Sequence, residues 1–369
     1  MKKIGILLLG TLLLLTSCAP SSKDEEVVKQ DEQAEQDKSI VPSYKLAKDN
    51  YRMILPYRPS KARGAITNQI ANRLDIDEVE EGLRRLSSAH FDPEKYYFEE
   101  GQYLSQDTIF EIIDELNPKI KKDQDEKVYR KNPRYLSHVL EQNFLRKKEN
   151  NSVELVGVSI ALAMKSVYRF QTETGGPYYY EKISKKEMLA EGEKMAAEIL
   201  KRIRKVEGLE NVPIMIALYR EEEQGSPVPG NFVAETMVEK GSSKIGKWDS
   251  INEEYVLFPS DHAKDKYFED AQLVNSFGDE IAEYFPNYVG VIGEGFYYNK
   301  ELKKLTLEIP IEFYGKGEII GFTQYAFGLV KEMFPDYYDL EINIVSSDKM
   351  ESFIFREAGQ KEPTVHIFH

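Results

Sequence analysis

The apolar residues of this chain divide it into three zones. An almost unbroken aliphatic run extends from Ile4 to Leu15, preceded by two lysines. Residues 19–43 contain no aromatic side chain and are rich in Lys, Asp, Glu and Gln. From Tyr44 onward, apolar positions recur with the periods of helices and strands. The pattern predicts a targeting segment, then a flexible tether, then a folded region.

The folded region alternates between helical and extended patterns. Ser184 and Glu187 form a capping box that predicts the start of one helix. The charged run 119–131 is expected to be a solvated loop. Helical spacing predicts helices over residues 77–86, 108–116, 135–145, 184–203, 271–285 and 319–334. Extended patterns predict strands over residues 96–104, 154–164, 178–180, 212–220, 231–239, 296–298, 305–313, 340–345 and 352–356.

The second half of the chain shows a weak internal repeat. Residues 155–159 read Leu-Val-Gly-Val-Ser, and residues 288–292 read Tyr-Val-Gly-Val-Ile. Each stretch follows a predicted helix, and each repeat reads helix, two strands, helix, two strands. Hairpins interleaved with single helices are typical of α+β folds rather than of doubly wound sheets. The predicted fold class is therefore α+β, with two similar helix-β-β-helix-β-β units, mainly antiparallel sheets and a mixed N-terminal region before them.

These patterns also predict the domain boundaries. The proposed division is a signal peptide at 1–17, a flexible acidic tether at 18–43, a mixed N-terminal region at 44–134, a first α+β unit at 135–250 and a second at 251–369. The length of 369 residues is sufficient for two ordinary domains.

The end of the apolar run fits the lipobox of bacterial lipoproteins. Leu15, Thr16, Ser17 and Cys18 supply a branched residue, two small residues and a cysteine. Small residues let a peptidase approach the backbone, and a thiolate is the nucleophile that takes up the lipid. The run is too short to span a bilayer, which needs about 20 apolar residues. We predict cleavage between Ser17 and Cys18 and lipidation of Cys18. The alternative is an ordinary secretory signal followed by a chance cysteine.

The composition limits the classes of partner that the chain is expected to bind. Lys and Arg total 49 against 63 Asp and Glu, so the net charge is −14. An acidic chain is a poor match for nucleic acid or for anionic lipid. Cys18 is the single cysteine, so no disulfide forms within the chain. The expected partners are the membrane, through lipid on Cys18, and the lipoprotein-processing enzymes. The expected location is the outer face of the cell membrane.

No catalytic or metal-binding motif stands out in the sequence. A Gly-x-Ser-x-Gly elbow is absent, and the cluster of Gly290, Gly293 and Gly295 is interpreted as a bend between strands. The histidines lack the close spacing of metal ligands. We therefore predict no catalytic residue, no metal and no cofactor. The five histidines are His90, His138, His262, His366 and His369, with the last two expected at a frayed C-terminus.

Three aromatic clusters leave two interpretations open. They are Tyr178–Tyr180, Phe296–Tyr298 and Tyr337–Tyr338. They can line a groove for a peptide or glycan ligand. Strands also favour aromatic residues for packing, which is the preferred interpretation.

Two charged segments also allow more than one interpretation. Arg58, Lys61 and Arg63 form a basic island that either receives an anionic ligand or makes ion pairs, and ion pairs are preferred. Glu221–Glu223 is interpreted as the solvated end of a hairpin. A pair of carboxylates acting as acid and base would need one of them to be buried.

Several segments together resemble a known family. They are the lipobox, Arg58–Gly64, Tyr135–Asn143, Gly157–Ala163 and Ser166–Tyr168. The chain is similar over its whole length to the CamS family of sex-pheromone lipoproteins of Gram-positive bacteria.

The resemblance implies two products from one chain. Signal peptidase II would release an anchored lipoprotein, and the signal peptide would be trimmed to an apolar mating pheromone that ends just before the cysteine. The family's peptides mix aromatic and aliphatic residues, whereas the corresponding stretch here is mostly leucine. It comprises Thr11, Leu12, Leu13, Leu14, Leu15, Thr16 and Ser17.

Three hypotheses for the exported region follow. The first is a non-enzymatic binding or interaction module. The second is an exported enzyme, or a cell-wall glycan or peptide binder, with a Tyr-lined cleft. The third, a transporter's solute-binding lipoprotein, is disfavoured because the predicted strand order does not give two doubly wound lobes.

Overall fold

The structure is a computed structural model. It describes residues 25–28, 39–42, 50–65, 71–121, 124–285, 288–312, 315–347 and 349–368. The lipobox and the stretch Thr11–Ser17 lie outside these residues, so the predictions made for them stay predictions.

Seven helices and nineteen strands lie within the described residues. The helices are α1 (Ile76–Ser87), α2 (Gln106–Leu116), α3 (Glu126–Lys131), α4 (Lys185–Ile203), α5 (Asp261–Lys266), α6 (Phe268–Tyr284) and α7 (Lys316–Met333). The strands up to residue 250 are β1 (Glu25–Val28), β2 (Ser39–Pro42), β3 (Arg52–Met53), β4 (Asn72–Arg73), β5 (Tyr97–Glu100), β6 (Leu136–Lys147), β7 (Val153–Met164), β8 (Val167–Phe170), β9 (Tyr179–Lys182), β10 (Ile214–Arg220), β11 (Glu222–Glu223), β12 (Asn231–Val238) and β13 (Asp249–Ser250). The later strands are β14 (Glu253–Phe258), β15 (Ile292–Tyr298), β16 (Glu301–Pro310), β17 (Asp339–Val345), β18 (Met350–Arg356) and β19 (Thr364–Ile367).

The first large sheet has seven strands in the order β13-β12-β10-β7-β6-β5-β3. Strands β7 and β10 pair in parallel, as do β3 and β5, and the other neighbours are antiparallel. Helices α2 and α4 cover one face, and α1 covers the other. The second half of β7 is buried on both faces, which explains its uninterrupted run of small and apolar residues.

The second large sheet has six strands in the order β14-β15-β16-β17-β18-β19. Only β16 and β17 pair in parallel. Helices α6 and α7 pack on this sheet through Phe277 and Phe322, which are fully buried. Asn299 and Lys300 both have positive φ, of 53° and 69°, and they turn the chain between β15 and β16.

Both sheets share one central motif. A hairpin is followed by a helix that crosses the sheet, and a second hairpin then joins the first through a parallel pair. The motif comprises β6, β7, α4, β10 and β12 in the first sheet, and β15, β16, α7, β17 and β18 in the second. The predicted α+β class with mainly antiparallel sheets is confirmed.

The predicted helix over residues 135–145 is wrong, because this segment is strand β6. Nearly all of β6 is buried, so apolar residues occur on both of its faces. Leu136, Val139, Leu140 and Phe144 then fall by chance at helical spacing. The first unit therefore opens with a strand, whereas α6 precedes the hairpin of the second unit.

Three smaller differences concern segments predicted to lack regular structure. Helix α3 forms within the charged run, with the Asp125 side chain accepting a hydrogen bond of 2.8 Å from the Lys127 amide. Strands β1 and β2 pair within the predicted tether. Ordered structure begins before Tyr44, because Val41 is fully buried and Ile40 exchanges two backbone hydrogen bonds of 2.8 Å with Leu55.

Helix α1 connects the two sheets. Gly82 lies against the ring of Phe232 in the first sheet, where a Cβ atom would come within 2.7 Å of that ring. Three residues along the helix, Arg85 forms a salt bridge of 3.1 Å to the buried carboxylate of Glu253 in β14. The Arg85 guanidinium also lies 4.4 Å from the centroid of the Phe296 ring in β15. The change from one sheet to the other therefore occurs beneath α1.

Candidate functional site

A cavity of about 530 Å³ lies beside α1, at the edge of the first sheet. Sites of this volume are typical for small molecules. We call it the α1 cavity. Its floor is formed by β5 and β6, one wall by α1 and the other by the loop before residue 65. The lining side chains used below are those of Ser60, Ala62, Arg63, Ala65, Asp77, Glu80, Arg84, Phe98, Glu100, His138, Leu140 and Gln142.

Helix α1 presents a polar stripe to the α1 cavity. Asp77, Glu80 and Arg84 fall three and four residues apart, so they share one face of the helix. The opposite face is apolar, and Val79 and Leu83 are fully buried against the sheet. Burial of that face fixes the rotation of α1 and therefore the direction of the polar stripe.

The loop wall is held by ion pairs to the end of β5. Arg58 lies 2.6 Å from Glu99, and Arg63 lies 3.1 Å from Glu100. The Ser60 amide donates a 2.6 Å hydrogen bond to the Glu100 carboxylate. The preferred interpretation of the basic island, as an ion-pair cluster, is confirmed for Arg58 and Arg63.

Glu141 of β6 serves the backbone of the neighbouring turn. Its buried carboxylate accepts hydrogen bonds from the amides of Gln102 at 3.0 Å, Tyr103 at 3.1 Å and Leu104 at 2.7 Å. Burial raises the pKa of Glu141, while these amides act in the opposite direction. The hydrogen bonds of the Glu141 carboxylate therefore stabilise the turn after β5.

Two buried acceptors beside the α1 cavity lack a hydrogen-bond partner among the described residues. One is His138 Nδ1, and the other is Gln142 Oε1. Burial lowers the pKa of His138 to about 4, and a hydrogen bond with the Ala65 backbone opposes this only in part. The imidazole is therefore neutral at pH 7. Gln142 Nε2 donates a 2.6 Å bond to the Glu80 carbonyl, which leaves its oxygen to accept.

Glu80 is a partly buried carboxylate in the wall of the α1 cavity. Burial raises its pKa, and the negative charges of Glu100 and Asp77 raise it further. Arg63 and Arg84 lower it. Within the described residues, neither Glu80 nor Asp77 forms a salt bridge, so the stripe carries negative charge that these two arginines do not neutralise through direct contacts.

A second buried polar group lies where β10 ends. Glu221 was interpreted as part of a solvated hairpin end, but its side chain is 0% exposed. Its amide donates a 2.9 Å bond to the Met164 carbonyl, which extends the pairing with β7 and turns the side chain inward. Ser137 donates a hydrogen bond to its carboxylate. Burial raises the pKa of Glu221 to about 7, although Ser137 and Lys165 lower it.

The aromatic clusters do not come together at the α1 cavity. Tyr178 and Tyr180 are exposed, and the Arg169 guanidinium lies 3.5 Å from the centroid of the Tyr178 ring. Tyr297 and Tyr338 are buried in the core of the second sheet. None of these tyrosines lines the α1 cavity.

The histidines are separated in the fold. His90 lies 3.5 Å from Glu235, and His262 lies 2.7 Å from Glu254. His366 was expected at a frayed end, but it lies in β19 and pairs with Phe353 of β18. His369 lies outside the described residues. In the described ranges no group of His, Cys, Asp or Glu is arranged to hold a metal ion. Nor does any helix of the described part have the length and apolar character needed to cross a bilayer.

The sequence analysis did not identify Glu80, His138 or Gln142 as neighbours. A usable signal was present, because residues 141–143 read Glu-Gln-Asn between the apolar pairs 139–140 and 144–145. This segment was predicted to be a helix. As a buried strand, it requires a partner for each of these polar residues.

The comparisons with known proteins agree with one another. The family described as CamS sex pheromone cAM373 precursor matches residues 57–362. A solved sex pheromone precursor from Lactobacillus salivarius subsp. salivarius UCC118 is 29% identical, with a TM-score of 0.79 over 90% of this chain and 99% of that one. The C-terminal domain of the sex pheromone staph-cAM373 precursor from Staphylococcus aureus is 30% identical, with a TM-score of 0.69 over 79% of this chain and 96% of that one. A search of curated proteins gave no match.

Proposed function

Because the chain belongs to the family of CamS sex pheromone precursors, we propose that it is a lipid-anchored surface protein that also releases a short peptide. The observation that carries the proposal is the lipobox of Leu15, Thr16, Ser17 and Cys18, placed directly after the apolar run. Signal peptidase II cuts between Ser17 and Cys18. Two or three acyl chains on Cys18 then hold the protein stably at the outer face of the membrane.

The peptide product comes from the discarded signal. Trimming of the signal peptide leaves Thr11–Ser17, which is short, apolar and suited to act as a pheromone. Its sequence ends at the residue before the lipidated cysteine, and the family's description as a pheromone precursor supports the release of a peptide. One processing event therefore yields both the anchored protein and the signalling peptide.

The folded region acts as a binding module, with the α1 cavity as its site. Three features support this role. The walls are fixed by the ion pairs of Arg58 and Arg63. Glu141 is held by three backbone amides, which leaves it unsuited to proton transfer. The neutral imidazole of His138 offers an acceptor rather than a charge. Preformed walls with a few placed polar groups are typical of ligand sites.

The anchor is tested by substitution at the cleavage site. Cells grown with radiolabelled palmitate are expected to label the wild-type protein and a Ser17→Ala variant, because alanine keeps the small residue that the peptidase needs. A Cys18→Ser variant is expected to take up no label, because its hydroxyl does not replace the thiolate. Label on the Cys18→Ser protein would contradict the proposal. Mass spectrometry of the culture medium is expected to detect Thr11–Ser17 from wild-type cells and not from the Cys18→Ser strain.

A further inference from the structure

Hydrogen-bond acceptors without a donor are the main unpaired polar groups of the α1 cavity. Among the described residues, His138 Nδ1 and Gln142 Oε1 are buried acceptors without a donor. Asp77 and Glu80 add carboxylates that form no salt bridge within the described part of the chain. An unsatisfied buried acceptor is unfavourable, and a ligand that donates a hydrogen bond to it removes this penalty. The cavity is therefore matched to a donor rather than to an acceptor.

The two arginines in the wall do not reverse this balance. Arg63 is paired with Glu100 at 3.1 Å, and its side chain is 60% exposed. The Arg84 guanidinium lies 5.9 Å from the centroid of the Phe98 ring, where the negative face of the ring attracts it. Both guanidinium groups are thus engaged by the protein itself. The excess of negative charge remains around Glu80, whose pKa is raised by burial and then by Glu100 and Asp77.

We propose that the α1 cavity binds a small ligand through a primary ammonium group, with the Glu80 carboxylate as its counter-ion. The inference rests on the binding role proposed above for this cavity. An ammonium group has three N–H donors and one positive charge. Glu80, His138 and Gln142 all line the cavity, so its walls contain three acceptor groups for these N–H donors. The apolar side chains of Leu140, Phe98 and Ala62 line the same cavity and suit an apolar stem attached to the ammonium group.

Other ligand classes fit less well. An anion meets Asp77, Glu80 and Glu100, and its desolvation is not repaid, because Arg63 is already paired. A neutral hydroxyl satisfies one acceptor but leaves the charge of Glu80 unbalanced.

The test compares an ammonium ligand with its neutral isostere on the full chain, purified from membranes in detergent. Saturation-transfer NMR measures the binding of n-butylammonium and of n-butanol at constant ionic strength. We expect the ammonium to bind at least roughly tenfold more tightly, because hydrogen bonds to a charged group contribute more than neutral ones. Equal affinities would overturn the ammonium assignment and leave the cavity as a site for another class. Absence of binding by both ligands would overturn the binding role as well.

A matched pair of variants locates the counter-ion. Glu80→Gln is expected to weaken n-butylammonium binding roughly tenfold, because it removes the charge while keeping the shape. Glu81→Gln removes the same charge from an exposed position on the same helix and is expected to bind as the wild type. Equal effects of the two variants would contradict a specific ion pair with Glu80. Melting curves of both variants show whether they fold, and the comparison of ammonium with alcohol on the wild type needs no variant.

Two sources of the ammonium group are distinguished by further ligands. Binding of trialanine but not of N-acetyl-trialanine identifies a peptide amino terminus. Binding of Nα-acetyl-lysine amide identifies a lysine side chain. Either result supports the proposal. None of these results bears on the lipid anchor, which the Cys18→Ser variant tests separately.

Discussion

The burial of Glu221 could not be predicted from the residues next to it in the sequence. The sequence presents three consecutive glutamates before a loop rich in Gly and Pro, which is typical of a solvated turn. In the structure, Glu221 is fully buried and Glu223 is exposed with a salt bridge of 2.8 Å to Lys182. The difference arises because the Glu221 amide bonds to the Met164 carbonyl at 2.9 Å. That partner is 57 positions away in the numbering, so local sequence carries no trace of it.

Substitution of Glu221 is expected to change the pH dependence of stability. Burial raises its pKa from the ordinary 4.5 to about 7 in the folded protein, so it is protonated more readily when folded. Its contribution to stability is complete below pH 4.5 and is lost as the pH rises to about 7. The loss is about 3 kcal/mol, at roughly 1.4 kcal/mol for each pKa unit. In Glu221→Gln this loss is absent, and the variant gains stability relative to the wild type as the pH rises.

Urea unfolding at a series of pH values measures this effect. The control is Glu223→Gln, which removes an exposed carboxylate from the same run. Its stability is expected to follow that of the wild type. A curve for Glu221→Gln that runs parallel to the wild-type curve between pH 4.5 and 7 would contradict the assigned burial.

At the scale of elements, the predictable parts are those stabilised by local interactions. Helix α4 begins where the capping box placed it, with the Glu187 amide donating a 3.2 Å bond to the Ser184 hydroxyl. Strand β6 was not predictable in the same way, because burial on both faces removes the alternation that identifies a strand. His138 and Gln142 of the candidate site lie on this strand, so the misassigned element also concealed their place in the site.

The two Val-Gly-Val segments of the predicted repeat occupy different structural positions. Gly157 lies within β7, whereas Gly290 lies before β15, so the two glycines do not occupy equivalent positions. A Cβ atom on Gly157 would lie 2.0 Å from the Phe91 ring, which stacks on Phe144 with centroids 4.5 Å apart. Gly290 has a φ of 152° and open space around it. The two glycines therefore serve different purposes, and their shared context is coincidental.

Replacement of Gly157 by alanine is expected to destabilise the protein by about 1–3 kcal/mol, because Phe91 must move from a packed position. The control is Gly225→Ala, where a Cβ atom meets nothing within 4 Å. Its effect is expected to stay within about 0.5 kcal/mol. Urea unfolding of the two variants gives both values, and equal losses would show that the contact with Phe91 is not the cause.

At the scale of the whole molecule, two α+β sheets are joined beneath one helix. The α+β class was predictable because hairpin and helix patterns alternate along the chain. The way in which the two sheets meet was not predictable from the sequence, because Arg85 and Glu253 are 168 positions apart. The α1 cavity has the same origin, since its walls come from the Arg58–Ala65 loop, from α1 and from β6. A site assembled from distant segments needs the fold before its residues can be grouped.

One cleavage, between Ser17 and Cys18, is proposed to yield both a lipid-anchored protein and a free peptide. It is tested most directly by the mass of the tryptic peptide Cys18–Lys23 from the membrane fraction. We expect a peptide that begins at Cys18 and carries a diacylglyceryl group, with or without an additional acyl chain on its amino group. An unmodified Cys18, or a peptide that still contains Ser17, would contradict both the anchor and the release of Thr11–Ser17.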